Sequence, residues 1–201
     1  MTLTGTQILQ RLRDRVPEHR LYIVPVQQNS IALEEASIDL HLGHYFLLPR
    51  RARQDALDPG DEKSILRARE VRMGSVHPSS VGMEALWLPD DGKLVLQPRD
   101  FLLAATLEYI GLPPDLCAQV LGRSRWSRVG LIAEMASFVH PGYRGCLTLE
   151  MQNLGSTAII LRPRLPVAHL VISETTSDPY IHTVAAQIVC SIRPQVLPLL
   201  P

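Results

Sequence analysis

The chain has 201 residues, the length of one compact domain, and its 20 Lys and Arg balance its 20 Asp and Glu. With 46% apolar residues, this composition excludes a mainly disordered chain, and the zero net charge argues against a nucleic-acid-binding protein. No apolar stretch reaches the roughly 20 residues of a membrane span, and no secretory signal is recognisable, so we expect a soluble cytoplasmic protein without membrane partners.

The first part of the chain carries one helix signal and two strand signals. Apolar residues between positions 8 and 16 recur at helical spacing until Pro17, which predicts a short N-terminal helix. Residues 21–26 and 37–46 predict strands, and the second alternates apolar with polar side chains. Residues 50–80 mix charges with Pro and Gly, which predicts a surface excursion between strands.

From residue 85 onward, short apolar runs alternate with turn residues, which predicts a mainly β fold of the sandwich or barrel type. No repeat or linker divides the chain, so we expect one domain over residues 1–176. Residues 177–201, which end in QVLPLLP, are expected to form a tail, or an arm that docks on a neighbour. Cys117, Cys146 and Cys190 are too few and too widely spaced for a disulfide framework or a Cys-rich zinc site.

Several common catalytic signatures are missing from the sequence. It contains no phosphate-binding GxxxxGK[ST] motif, no GxGxxG after a strand and no nucleophile elbow. The zinc deaminases require His-x-Glu followed by Pro-Cys-x-x-Cys, and no two cysteines of this chain have that spacing. Any deamination by this protein is therefore expected to run without zinc.

A basic segment, GRSRWSRVGL at 122–131, follows an apolar strand signal. Its guanidinium groups, hydroxyls and glycine-flanked backbone N–H groups suit a di- or triphosphate. A solvated turn with a basic face fits the same composition equally well.

A second segment joins a Pro-Gly turn to a strand with a central carboxylate. The alternation after residue 145 places Cys146, Thr148, Glu150 and Gln152 on one face. Glu150 is then either a surface charge or a proton carrier, and Arg128 is its natural partner if the two strands meet.

Five segments resemble the dCTP deaminase branch of the dUTPase superfamily, in that family's order, over roughly residues 4–173, most of the chain. They are ASIDLHLG (36–43), LAATLEYIGLP (103–113), the basic segment (122–131), PGYRGCLTLE (141–150) and NLG (153–155). The first of them is similar to a motif of the deaminase branch itself.

The resemblance implies a distorted β-sandwich of the dUTPase-like type that assembles as a homotrimer with active sites between subunits. It implies the zinc-independent hydrolysis of dCTP to dUTP and ammonia, with Mg²⁺ bound together with the triphosphate. By matching positions, Glu150 would be the general base, Arg128 would orient it, and the Ala136 carbonyl would help to position the attacking water.

Further matching positions imply contacts with the nucleotide. Arg123 and Ser124 would hold phosphates, and Tyr143 would pack against the deoxyribose. Arg125 stands where a second serine is common, and it is a further candidate for a phosphate contact or, alternatively, a residue that crowds one out. His140 replaces an aspartate that contacts the sugar 3′-hydroxyl, and an imidazole can still bond that hydroxyl.

Other positions depart from the family pattern. The stretch 132–139 is shorter than usual, and Arg164 and His169 stand where glycine and glutamine are usual. Tyr180 and Gln187 are candidates for a tail that covers the phosphates. Two alternatives stay open at this point: a dUTP diphosphatase, alone or combined with deamination, and a nucleotide-binding trimer without catalysis.

Overall fold

The computed structural model describes residues 1–33, 35–49, 71–72, 83–133 and 136–175. Within these residues the chain forms two short helices and twelve strands. The helices are α1 (Gly5–Leu12) and α2 (Ser124–Ser127). The strands are β1 (Tyr22–Val24), β2 (Ile38–Pro49), β3 (Val71–Arg72), β4 (Met83–Trp87), β5 (Leu94–Leu96), β6 (Phe101–Gly111), β7 (Leu116–Gly122), β8 (Leu131–Ile132), β9 (Phe138–Val139), β10 (Arg144–Asn153), β11 (Ile159–Leu161) and β12 (Pro166–Glu174).

The predicted N-terminal helix is confirmed, and a capping box starts it. The Thr4 hydroxyl accepts from the Gln7 backbone N–H, and the Gln7 side chain accepts from the Thr4 backbone N–H at 2.8 Å. The helix ends at Leu12, earlier than its apolar pattern suggests, because the chain turns after Arg13. Val16 is therefore an exposed turn residue and not a member of the helix's buried face.

Ten strands form one strongly curved sheet, whose main path runs β8-β10-β6-β2-β12-β7-β9. β1 pairs with β6, β4 pairs with β2 and β3, and β5 with β11 forms a separate two-stranded sheet. Strand β2 belongs to both halves of this curved sheet, since it pairs with β12 near its start and with β6 and β4 further along. The predicted mainly β, sandwich-like fold is confirmed.

The core fills the inside of the curved sheet with apolar side chains, most of them aliphatic. The largest fully buried ones include Phe46, Ile38, Leu102 and Leu116, and burial of each such side chain contributes roughly 1.5–3 kcal/mol to folding. On β10 the exposed and buried positions alternate from Leu147 onward, as predicted.

Cys146 shares its predicted face of β10 with Thr148, Glu150 and Gln152, but it is only 7% exposed and so is buried there. The register between β10 and β6 shifts next to it: Cys146 pairs with Tyr109 and Thr148 with Ala105, so the additional residues of this bulge lie on β6. Cys117 is partly exposed, and Cys190 lies outside the described residues.

Within the predicted excursion 50–80, residues 71–72 are described, and they form β3, which runs parallel to β4. The rest of that stretch and the predicted tail, 177–201, lie outside the described residues. In the described part of the chain, no helix has the length and apolar character needed to cross a membrane.

A buried, hydrogen-bonded pair of side chains links β2 to β6. Glu108 is 1% exposed, and its carboxylate accepts from the His41 backbone N–H at 2.9 Å and lies 2.7 Å from His41 Nδ1. Burial raises the pKa of Glu108 even though His41 opposes that rise. Burial, with a smaller contribution from Glu108, likewise raises the pKa of the Cys146 thiol to about 11, which makes this cysteine unreactive at neutral pH.

Candidate active site

The basic segment 122–131 forms a single helical turn and not an irregular loop. Strand β7 ends at Gly122, Arg123 occupies the N-cap position of α2, and Arg128 occupies its C-cap position. The indole N–H of Trp126 donates to the Pro166 carbonyl oxygen at 2.7 Å. This bond fixes the turn to the start of β12, so that its basic side chains lie at one rim of the sheet.

The three residues predicted to contact phosphates lie together at the start of this turn. Arg123 is held by Asp39 on β2, at 2.7 Å between Nη1 and Oδ2. Ser124 is exposed, and the exposed Arg125 lies with its guanidinium carbon 5.2 Å from the centre of the Trp126 ring. Two guanidinium groups and a hydroxyl within three consecutive residues are the donor types that bind phosphate oxygens.

Backbone packing fixes the position of Arg128. Gly130 has φ +89°, and its carbonyl accepts from the Leu154 N–H at 2.7 Å. A Cβ atom at Gly130 would clash with the backbone of Gly155, so glycine is required at this close approach. Arg128 itself is exposed at the end of the turn, where its guanidinium can reach beyond its own chain.

Glu150 lies on β10 as predicted, and its side chain is half-buried. The backbone N–H of Ala136 donates to Glu150 Oε2 at 3.3 Å. The structure therefore brings together the predicted general base and the residue predicted to help position water. A carboxylate held by a backbone donor at a partly accessible position can accept a proton from a bound water.

The structure does not bring Arg128 and Glu150 together within one chain. Strand β8 pairs with β10 through Gln152 and Asn153, and Arg128 lies beyond that end of the pair. Glu150 is three residues back along β10, about 10 Å at strand spacing. No ion pair joins these two residues in the described part of the chain. Their contact stays a prediction.

The two predicted sugar contacts lie on the turn before β10. His140 is exposed, and its ring meets the Phe138 ring edge-on at 4.9 Å between centroids. The Tyr143 hydroxyl donates to the Cys146 carbonyl at 2.8 Å, its ring packs against the core, and burial raises the pKa of its phenol. Tyr143 thus covers the sheet edge, and a sugar contact would use the part of the ring that stays accessible.

No group of three or more His, Cys, Asp or Glu side chains suited to a metal ion occurs among the described residues. A divalent cation that arrives with a triphosphate needs no such group, because phosphate oxygens and water supply most of its ligands.

Sequence analysis missed one interaction at this rim. Asp39 binds Arg123 through Oδ2, and its other oxygen lies 2.9 Å from His169 Nδ1. The sequence indicated that Asp39 is important, because it belongs to the motif at 36–43 and occupies a polar position in an alternating strand. The pairing itself depends on the strand order β2-β12-β7, which the sequence pattern does not specify.

The chain is similar to known proteins over most of its length. The dCTP deaminase-like family matches residues 2–175. A protein of Haloarcula marismortui named dCTP deaminase is 31% identical over 175 residues, which cover 87% of this chain and 80% of that protein. A protein of Halobacterium salinarum named dCTP deaminase, dUMP-forming, is 33% identical over 178 residues, which cover 88% of this chain and 82% of that protein.

Among solved structures, the crystal structure of 2′-deoxycytidine 5′-triphosphate deaminase from Agrobacterium tumefaciens matches with a TM-score of 0.58 at 18% identity. The match covers 87% of this chain and 48% of that one, and it supports the fold. Since the family match spans nearly all described residues, the chain belongs to the dCTP deaminase-like family.

Proposed function

We propose that this protein catalyses the hydrolytic deamination of dCTP to dUTP and ammonia without zinc. The observation that carries the proposal is the half-buried Glu150, held at Oε2 by the Ala136 N–H, in a chain of this family. Relatives at 31% and 33% identity carry the name dCTP deaminase, which supports the same substrate.

In the proposed reaction, the Glu150 carboxylate takes a proton from water as the water oxygen forms a bond to C4 of cytosine. Glu150 passes that proton to N3, and the hydroxyl proton of the tetrahedral intermediate moves to the exocyclic amino group. The C4–N4 bond then breaks, and ammonia and dUTP result. A carboxylate has about four lone-pair sites, so the Ala136 N–H can orient it while it still accepts from water.

We propose that Arg128 comes from a neighbouring protomer of a homotrimer and orients Glu150 by an ion pair. The separation of the two residues within one chain supports this arrangement, and so does the exposure of Arg128. An adjacent guanidinium would favour the ionised carboxylate, which is the form that a general base requires.

The nucleotide contacts follow from the same arrangement. Arg123, Ser124 and Arg125 would bind the phosphates, with Mg²⁺ as part of the incoming MgdCTP substrate. His140 and Tyr143, on the turn before β10, would lie near the deoxyribose.

A second candidate is a bifunctional enzyme that releases dUMP and pyrophosphate. It is favoured by the relatives from Halobacterium salinarum and from Methanothermobacter thermautotrophicus, each 33% identical and named dUMP-forming. Deamination is common to both candidates, and they differ in whether the phosphate chain is also cleaved.

Product analysis tests the proposal. The purified protein is incubated with dCTP and Mg²⁺, ammonia is measured, and the nucleotides are separated chromatographically. Equal amounts of ammonia and dUTP support the deaminase, whereas ammonia with dUMP and pyrophosphate supports the bifunctional enzyme. Pyrophosphate from dUTP without ammonia from dCTP would indicate a diphosphatase. Nucleotide binding without any turnover would indicate a non-catalytic trimer.

A further inference from the structure

Three adjacent strands bring one carboxylate between two basic side chains at the rim of the proposed phosphate site. Asp39 on β2 lies directly opposite His169 on β12, and Arg123 follows the end of β7. The Asp39 carboxylate is 2.7 Å from Arg123 through Oδ2 and 2.9 Å from His169 through Oδ1. We refer to these three residues as the Asp39 cluster.

The Arg123 side chain has to cross a whole strand to make this contact. Strands β2 and β7 flank β12, so they are about 10 Å apart at normal sheet spacing. The Arg123 side chain is 21% exposed and that of Asp39 is 24% exposed, which makes this pair better shielded than a typical surface ion pair. Asp39 therefore fixes where the guanidinium lies.

The contact with Asp39 leaves most of the guanidinium available. Arginine carries five N–H donors, and among the described residues the Arg123 side chain donates to Asp39 through Nη1. The remaining donors can bind phosphate oxygens in the fork geometry that arginine favours. Asp39 thus orients Arg123 without saturating it.

His169 lies against the other oxygen of the Asp39 carboxylate. Its Nδ1 is buried against Asp39 Oδ1 but forms no hydrogen bond with a described residue, so the contact is electrostatic. The residue opposite His169 on β7 is the uncharged Leu121. On β2 the next polar side chain in the same direction, His41, is already paired with Glu108.

The net charge of the cluster follows from these partners. With neutral imidazole the Asp39 cluster is uncharged, and with imidazolium it carries one positive charge. An additional positive charge beside a triphosphate strengthens its binding.

We propose that Asp39 is a positioning residue that orients Arg123 toward the substrate phosphates, and that His169 makes this phosphate affinity dependent on protonation. The inference rests on the proposed function in that it takes Arg123 as a phosphate ligand. Asp39 and His169 act through Arg123 and through charge, and neither takes part in the proton transfers at cytosine.

Asp39→Asn tests the positioning role because it keeps the side-chain shape and removes the charge. We expect the KM for dCTP to rise about tenfold while kcat changes less than about threefold, since binding is lost and the chemistry is retained. Thermal unfolding confirms that the variant is folded. An unchanged KM in a folded Asp39→Asn variant would overturn the positioning role.

His169→Gln tests the protonation role. For the wild type, we expect the affinity for dCTP to rise about fivefold more between pH 8 and pH 6 than for His169→Gln, because imidazoles gain charge in this range. The phosphates of dCTP titrate identically with both proteins, so the difference reports on His169. His19→Gln, which removes an exposed histidine paired with Asp115, is the matched control and should behave as the wild type.

Inorganic tripolyphosphate separates this inference from the proposed function. Calorimetric titration of the wild type, Asp39→Asn and His169→Gln with tripolyphosphate measures the cluster without any base. Weaker binding to Asp39→Asn and a reduced pH dependence in His169→Gln support the inference even if dCTP is not deaminated. Equal binding by all three proteins, or none by the wild type, would overturn it even if dCTP is deaminated.

Discussion

Two carboxylates on neighbouring strands of the same sheet differ in almost every physical respect. Glu108 on β6 is 1% exposed, is paired with His41 and has a raised pKa. Glu150 on β10 is half-buried and accepts from the Ala136 N–H at the proposed site. The carboxylate with the raised pKa, Glu108, is thus the one that no substrate can reach.

The contrast separates two reasons for placing a carboxylate inside a sheet. The His41–Glu108 pair connects β2 with β6 at the place where β2 passes from one half of the curved sheet to the other, so its role is structural. A general base needs lone pairs that the substrate or a bound water can reach. A raised pKa, as at Glu108, is therefore not by itself the mark of a general base.

The largest effect is expected from Glu150→Gln, which removes the proton acceptor and keeps the shape. The rate of ammonia release from dCTP should fall about a thousandfold, while the Kd for dCTP stays within about threefold. Glu174→Gln, at the exposed end of β12, is the matched control and should retain full activity. Normal deamination by Glu150→Gln would show that Glu150 is not the base.

Glu108→Ala should show the opposite behaviour, a loss of stability. Removing the carboxyl group leaves the backbone N–H and Nδ1 of His41 without their partner, and the free energy of unfolding should fall by about 1–3 kcal/mol. Asp90→Ala removes the exposed partner of Arg164 and should lower the free energy of unfolding much less than Glu108→Ala does, because solvent screens an exposed ion pair. Chemical denaturation measures both, and equal losses would contradict the structural role of Glu108.

Gly130→Ala tests whether the close contact between the backbones of Gly130 and Gly155 stabilises the turn that carries Arg128. A Cβ at this residue, which has φ +89°, would clash with Gly155, and we expect a loss of about 1–3 kcal/mol in the free energy of unfolding. Val129→Ala, which changes the exposed neighbouring residue without adding an atom, is the comparison variant and should stay close to the wild type. If Gly130→Ala is as stable as the wild type, the close approach does not constrain this turn.

A smaller effect is expected in the pH dependence of stability. Because the pKa of Glu108 is raised in the folded state, that state keeps a proton that the unfolded state loses above about pH 4.5. The contribution of Glu108 to stability is therefore present below pH 4.5 and is lost as pH rises through the folded-state pKa.

The measurement is the difference in unfolding free energy between the wild type and Glu108→Gln from pH 4 to pH 7. The difference is needed because Asp115 contributes to the pH dependence of stability with the opposite sign. Burial raises the pKa of Asp115, but the hydrogen bonds from Arg11 lower it, and the net pKa lies below its usual value. The wild type should lose stability relative to Glu108→Gln as pH rises. A constant difference would contradict the assigned shift.

The sequence allowed the β fold and the position of Glu150 to be predicted, because both depend on local periodicity. Alternation over 147–152 placed Glu150 at mid-strand, and the turn chemistry before residue 144 marked where the strand begins. The basic segment was recognised by composition, and Ala136 by its matching position.

Other features depend on tertiary register, which periodicity does not encode. The bulge on β6 opposite Cys146 and Thr148, and the burial of Cys146 beside it, were not predicted. The Asp39–Arg123 contact spans two strand spacings, and the His41–Glu108 pair joins residues 67 positions apart. The separation of Arg128 from Glu150 likewise became visible only once β8 was seen to pair with the far end of β10.

Mixed oligomers test most directly the central claim that Glu150 of one protomer works with Arg128 of another. Arg128→Gln and Glu150→Gln chains, each inactive alone, are unfolded together, refolded at equal amounts and assayed for ammonia release from dCTP. Random assembly of a cyclic trimer should restore about a quarter of the wild-type activity per site. A mixture as inactive as its separate components would contradict a site shared between protomers.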